Sequence, residues 1–200
     1  MLSTIALSLL LTGCIEDVAK DKVEATVTEA KTEAPKPAAG TAWKVDPGAS
    51  TLKALGAKIT AEHPIVFHKW EGSATVDGGK LTGIEFVVDM DSLEADHPKL
   101  TEHLKNQDFF DVPGHPTSKF TSTGIAAGDD GTATVTGNLT IRGTTKEVSF
   151  PAKIEVTADQ VHASTEFAID RKDFNVVYPG KPDDLVQDKV VLTIDFVAKP

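Results

Sequence analysis

The side chains best suited to chemistry are the histidines. The chain has six in 200 residues, and five of them, His63, His68, His97, His103 and His115, fall in one stretch. Imidazoles ligate zinc or copper, so a metal- or haem-associated factor is one reading. No thiol joins them, however, and none stands four residues from another on a helix. Hydrogen-bonding histidines are the simpler expectation, so no metal ligand is assigned. Arg171 lies between Asp170 and Asp173. It could meet a phosphate or quinone head, or hold a strand end through an ion pair. Arg142 in its hairpin carries the same two readings. No Gly-x-Ser-x-Gly elbow, Walker loop, dinucleotide fingerprint or His-Glu-x-x-His is present. The expectation is a binding protein with no catalytic residues, not an enzyme.

The one cysteine, Cys14, rules out an intramolecular disulfide. An apolar run, Ile5–Leu11, precedes it and is too short to span a bilayer. That run ends in Leu11-Thr12-Gly13-Cys14, which resembles the bacterial lipobox. Residues 1–13 therefore read as a lipoprotein signal peptide, and Cys14 as the acylated anchor. No Lys or Arg precedes the run, so the true start codon could lie upstream. The expected location is the periplasmic side of a bacterial membrane. Ile15 after the cysteine leans towards the outer membrane.

The charge balance is 30 acids against 20 bases, net −10. That argues against nucleic-acid binding, which calls for a basic face, and against anionic lipid headgroups as an electrostatic target. Residues 14–42 are rich in Ala, Glu, Lys, Thr and Pro, with no aromatic residue before Trp43. They read as a flexible tether reaching roughly 30 Å. A helix over Val18–Thr32 is the second reading.

From Trp43 onward apolar residues recur with period two. Val148, Phe150, Ala152, Ile154 and Val156 share one face. Ile84, Phe86, Val88 and Met90 share another, as do Ala133, Val135, Leu139 and Ile141. Val161, Ala163, Phe167 and Ile169 form a fourth set, and Val190, Leu192, Ile194 and Phe196 a fifth. Asp77-Gly78-Gly79 and Gly128-Asp129-Asp130-Gly131 suit tight hairpins. Many antiparallel strands with one dry face predict a closed barrel or a sandwich. Residues 96–106 break the pattern and predict a helix over about 97–106. Asp96 is its expected cap, Pro98 fits its first turn, and Leu100 and Leu104 face the barrel.

Four segments, in order, resemble the YceI-like family. They are Trp43-Lys44-Val45-Asp46-Pro47; His103 to Val112 with His115-Pro116 and Lys119-Phe120; Gly137 to Lys146; and Phe167 to Phe174. Asn175 stands where the family usually has Gly, and Asn tolerates the same positive φ. The segment His63–Trp70 departs from the family pattern. The resemblance implies that residues 43–200 form an eight-stranded antiparallel lipocalin-like barrel. It also implies an apolar interior holding a long isoprenoid, such as a quinone or polyprenyl phosphate. A barrel of about eight strands admits one slim ligand.

On that basis the expected channel residues are Trp70, Phe86, Val88, Phe109, Phe110, Phe120, Leu139, Phe150, Phe167, Phe174 and Ile194. His103 and Arg171 are candidates for the headgroup, although His103 could instead order the loop over the mouth. The expected partners are the lipid and, through Cys14, the membrane; the family resemblance also allows a homodimer. No cofactor is implied apart from a bound isoprenoid. The competing architecture is an interaction or stress-response module whose barrel is filled by its own side chains.

Overall fold

The computed structural model describes residues 16–30 and 38–200. Cys14 and the signal segment lie outside them. Period-two sequence becomes strand throughout the domain. The elements are β1 (Thr26–Glu29), β2 (Thr41–Val45), β3 (Thr51–Ala57), β4 (Glu62–Phe67), β5 (Trp70–Asp77), β6 (Lys80–Asp89) and β7 (Leu93–Ala95). After helix α1 (Pro98–Lys105) come β8 (Thr117–Ala127), β9 (Thr132–Ile141), β10 (Thr144–Val156), β11 (Val161–Asp170), the short hairpin β12 (Gly180–Lys181) and β13 (Asp184–Leu185), and β14 (Lys189–Lys199).

Eight strands close an antiparallel ring in the order β2-β5-β6-β8-β9-β10-β11-β14 and back to β2. Closure removes the free sheet edges that would otherwise template aggregation. At one level the early strands break. A single 3-10 turn, Pro47–Ala49, separates β2 from β3, and another, Met90–Ser92, separates β6 from β7. Beyond the breaks, β3, β4 and β7 form a flap hydrogen-bonded to β14.

Several of the hairpin turns place glycine at positive φ. Gly78 and Gly79 take φ of 55° and 76°, while Arg142 and Gly143 take 48° and 71°. Asn175 adopts φ 60° and caps the turn Arg171–Phe174, as an asparagine can. Pro98 occupies the first helical position, so the cap falls one residue before it. His97, not Asp96, caps α1, its Nδ1 accepting from the Lys99 amide at 3.2 Å. Asp96 is instead paired with His63.

Residues 16–30 depart from both readings of the leader, as tether and as helix. Instead they lie along the barrel wall. The turn at Val18-Ala19 covers an outward apolar patch of Leu55, Ala168 and Val191. β1 then pairs antiparallel with β10, from Thr26 opposite Ser149 to Glu29 opposite Lys146. Composition alone underestimates this segment, because its few apolar side chains find a prepared surface.

Candidate functional site

The inward faces of the strands do not fill the barrel evenly. Phe86 stacks on Phe120 at 5.2 Å between ring centroids, Phe120 meets Phe150 at 5.7 Å, and Phe150 stacks on Phe167 at 4.1 Å. These four rings form a floor across the bore. Beneath them the interior is packed by small and medium residues such as Ala74, Val135, Ala163 and Ala198, leaving a void of about 20 Å³. Above them lies a cavity of about 670 Å³. That is within the usual range of ligand sites, about 300–1,000 Å³. A barrel plugged end to end is thereby excluded; only the half below the floor is solid.

Gly137 helps to place the floor. A side chain there would approach Phe120 Cζ to 2.5 Å and the Thr121 carbonyl oxygen to 2.6 Å. Only glycine lets the Phe120 ring lie flat across β9.

Most of the expected channel residues border the cavity. Phe86 and Val88 reach it from β6, Phe120 from β8 and Leu139 from β9. Phe150, Phe167 and Ile194 reach it from β10, β11 and β14, while Phe109, Phe110 and Phe174 reach it from the turns at its open end. Trp70 does not border it. It stands one layer behind, edge-on to Phe86 at 6.2 Å. The flap adds wall residues outside the expected set, notably Leu52, Ala54 and Ile65, and the loop after Asn175 adds Tyr178.

The rim is built from α1, the β3–β4 turn and the β12–β13 hairpin. Lys58 of the turn clasps Asp184 of the hairpin at 2.6 Å. A hydrogen bond from Lys58 holds the Asp184 carboxyl below the usual carboxylate range, overcoming the opposing effect of desolvation. His103 borders the cavity with Nε2 2.7 Å from Asp108 Oδ2, and its ring stands edge-on to Phe109 and Tyr178 at 5.0 Å each. This geometry orders the loop over the mouth.

Arg171 borders the cavity yet is only 6% exposed. Its guanidinium donates to the carbonyls of Val176 at 2.6 Å, Gln187 at 3.0 Å and Val186 at 3.4 Å, and to Asp188 at 3.1 Å. Burial lowers its pKa from the ordinary guanidinium value, opposed by Asp188 and Asp170. Of five guanidinium hydrogens, these bonds leave one for any headgroup. Arg142 likewise spans backbone, donating to the carbonyls of Gln107 and Asn175.

The other histidines are dispersed. His63 faces Asp96, His68 faces Glu94 and His162 faces Asp195, all within 3.2 Å. Among the described residues no three His, Cys, Asp or Glu side chains converge on a metal-sized site.

Comparison with known proteins yields matches in both sequence and fold. The YceI-like domain model matches residues 43–198. A UPF0312 protein of Pseudomonas putida is 38% identical over 88 residues, which cover 43% of this chain and 46% of that protein. Another UPF0312 protein, of Pseudomonas fluorescens, is 30% identical over 122 residues, 57% of this chain and 64% of that one. The alignment thus spans about half to two thirds of these relatives. Among solved structures, Burkholderia cenocepacia BcnA superposes with a TM-score of 0.71 at 24% identity, covering 78% of this chain and 99% of that one. A polyisoprenoid binding domain from Saccharophagus degradans, implicated in plant cell wall breakdown, gives 0.66 at 14% identity, covering 78% of this chain and 97% of that one. At these identities the likeness to solved structures is one of fold.

Proposed function

The chain belongs to the YceI-like domain family, and from that premise and the cavity we propose that it is a non-catalytic carrier of an isoprenoid-type lipid. The observation that carries this reading is the 670 Å³ apolar cavity above the phenylalanine floor. Its lining of Leu, Ile, Val and Phe offers dispersion and water exclusion but few polar anchors. Each five-carbon isoprene unit brings roughly 3–4 kcal/mol of gross apolar burial. The bilayer offers the tail an equally apolar home, so the net preference is small and the lipid can load and unload. A quinone or polyprenyl phosphate tail fits this chemistry, with its head at the rim beside His103. The role is transport, storage or sensing at the cell envelope. Cys14, acylated after export, would hold the barrel beside the membrane that supplies the ligand.

To test this, protein purified from its native host is extracted with organic solvent and the extract examined by mass spectrometry. An isoprenoid recovered in near-stoichiometric amount is the expected result. Recovery of none, together with no uptake of added quinone or polyprenyl phosphate, would sink the carrier reading. Intact mass of the mature N-terminus tests the anchor, and Cys14→Ser should release the protein from membranes.

A further inference from the structure

The eight-stranded ring is not evenly sewn. β10 and β11 pair only from Lys153–Val156 to Val161–Ser164. Nearer the cavity the two strands separate, and the leader enters between them. On one side β1 takes up the free edge of β10 over Lys146–Ser149. On the other side the Ala168 amide of β11 donates to the Val23 carbonyl, and the Ala25 amide donates to the Ala168 carbonyl, both at 2.9 Å. Val27, opposite Val148, and Ala25 are half-buried against the core. Val148 and Phe167, on the two flanking strands, both border the cavity.

We propose that residues 23–29 act as a removable stave that closes a side entrance to the cavity, through which the lipid enters and leaves. The cargo in this inference rests on the carrier reading above. Lifting the stave leaves β10 and β11 about two strand spacings apart, roughly 9–10 Å, beside the aliphatic wall. The stave is lightly held. It pairs over only four residues, and Thr26, Thr28 and Glu29 are exposed. Its ion pairs, Glu24–Lys189 at 2.8 Å and Glu29–Lys146, and the Lys22–Glu166 pair at 2.6 Å just before it, each have a carboxylate at the surface, where such pairs contribute little. Strands of the ring proper pair over as many as ten residues, as β11 does with β14. The YceI-like domain model matches from residue 43 onward, so the stave lies outside the residues that it matches.

The test locks the stave. Thr26 and Ser149 are directly opposite on β1 and β10, a spacing that a disulfide can bridge. Full-length Thr26→Cys/Ser149→Cys protein, with Cys14→Ser to remove the native thiol, is loaded with a fluorescent geranylgeranyl probe. Transfer to phosphatidylcholine vesicles is then timed. Oxidation should slow transfer at least tenfold, and a reductant should restore it, with equilibrium affinity unchanged. Independently of any ligand, hydrogen–deuterium exchange at the Ala25 and Ala168 amides should be at least 100-fold faster than at Val135. Failure of the probe to bind either form sinks the lipid reading on which the cargo rests. Protection at Ala168 equal to that at Val135, or a transfer rate unmoved by the lock, overturns the side entrance itself.

Discussion

Phe150 and Phe167 lie face to face, 4.1 Å between ring centroids with planes 8° apart. They belong to neighbouring strands at a level where those strands share no ladder hydrogen bonds. The stack therefore spans the barrel wall and bears the cavity floor at once. Phe150→Ala should destabilise the fold by about 3–5 kcal/mol, as large-to-small aromatic changes in cores do. It should also join the cavity to the small void below. Urea denaturation gives the first quantity. Native mass spectrometry gives the second, as a shift of bound isoprenoid towards longer chains. Unchanged chain lengths would show that the floor does not limit the ligand.

Gly137→Ala places a methyl group 2.5 Å from Phe120 Cζ. The ring or the strand must move, at about 1–3 kcal/mol for overpacking. In a protein of this size, Tm should fall by about 2–4 °C for each kcal/mol. A scan in which the variant matches the wild type would mean that the floor yields freely.

Arg171→Met keeps the bulk but removes every donor. The carbonyls of Val176, Val186 and Gln187 then lose their shared partner. The expected cost is about 2–4 kcal/mol, with proteolysis appearing first in residues 176–188. Arg171→Lys should recover only part of it, because an ammonium cannot fork to three carbonyls. A variant as stable as the wild type, yet unable to bind lipid, would transfer Arg171 to the headgroup.

The rim clasp gives a signed pH dependence. Asp184 is held below its ordinary value by Lys58, so its ionised form favours the folded state. That contribution is fully present above about pH 4 and disappears as pH falls through the lower folded value. Urea midpoints of the wild type and of Asp184→Asn should therefore differ at neutral pH and converge in acid. A gap that persists below the aspartate range would place the effect in shape instead of charge.

Much of the barrel can be read from the sequence, because five strands place apolar residues at period two and two of the hairpins carry Gly-Gly or Asp-Gly. The flap escapes. Glu62–Phe67 has Pro64 inside it and apolar neighbours at 65, 66 and 67, so no period emerges. Ile65, one of the cavity walls, is lost with it. Trp70 looks like a channel residue because it is large and aromatic, yet it supports Phe86 from behind. Asp96 and His97 both precede Pro98, and only the exact helical start decides which one caps. The leader hides because its own residues are polar. Its trace lies in its partner strands, where Ala168 and Val191 are apolar on the outward face and so break the alternation. An unexplained greasy spot outside a barrel is the sign that something covers it.

The Glu16 carbonyl accepts from the Gln187 side chain, and the Gln187 amide oxygen accepts from Val18. Cys14 precedes Glu16 by two residues, which span at most about 7 Å. Were Cys14 acylated as proposed, the docked leader would hold the β11–β14 flank within about one headgroup layer of the bilayer. Peeling the leader away would pay out the rope and let the barrel drift off. Standoff from the membrane and access through the flank would then change together.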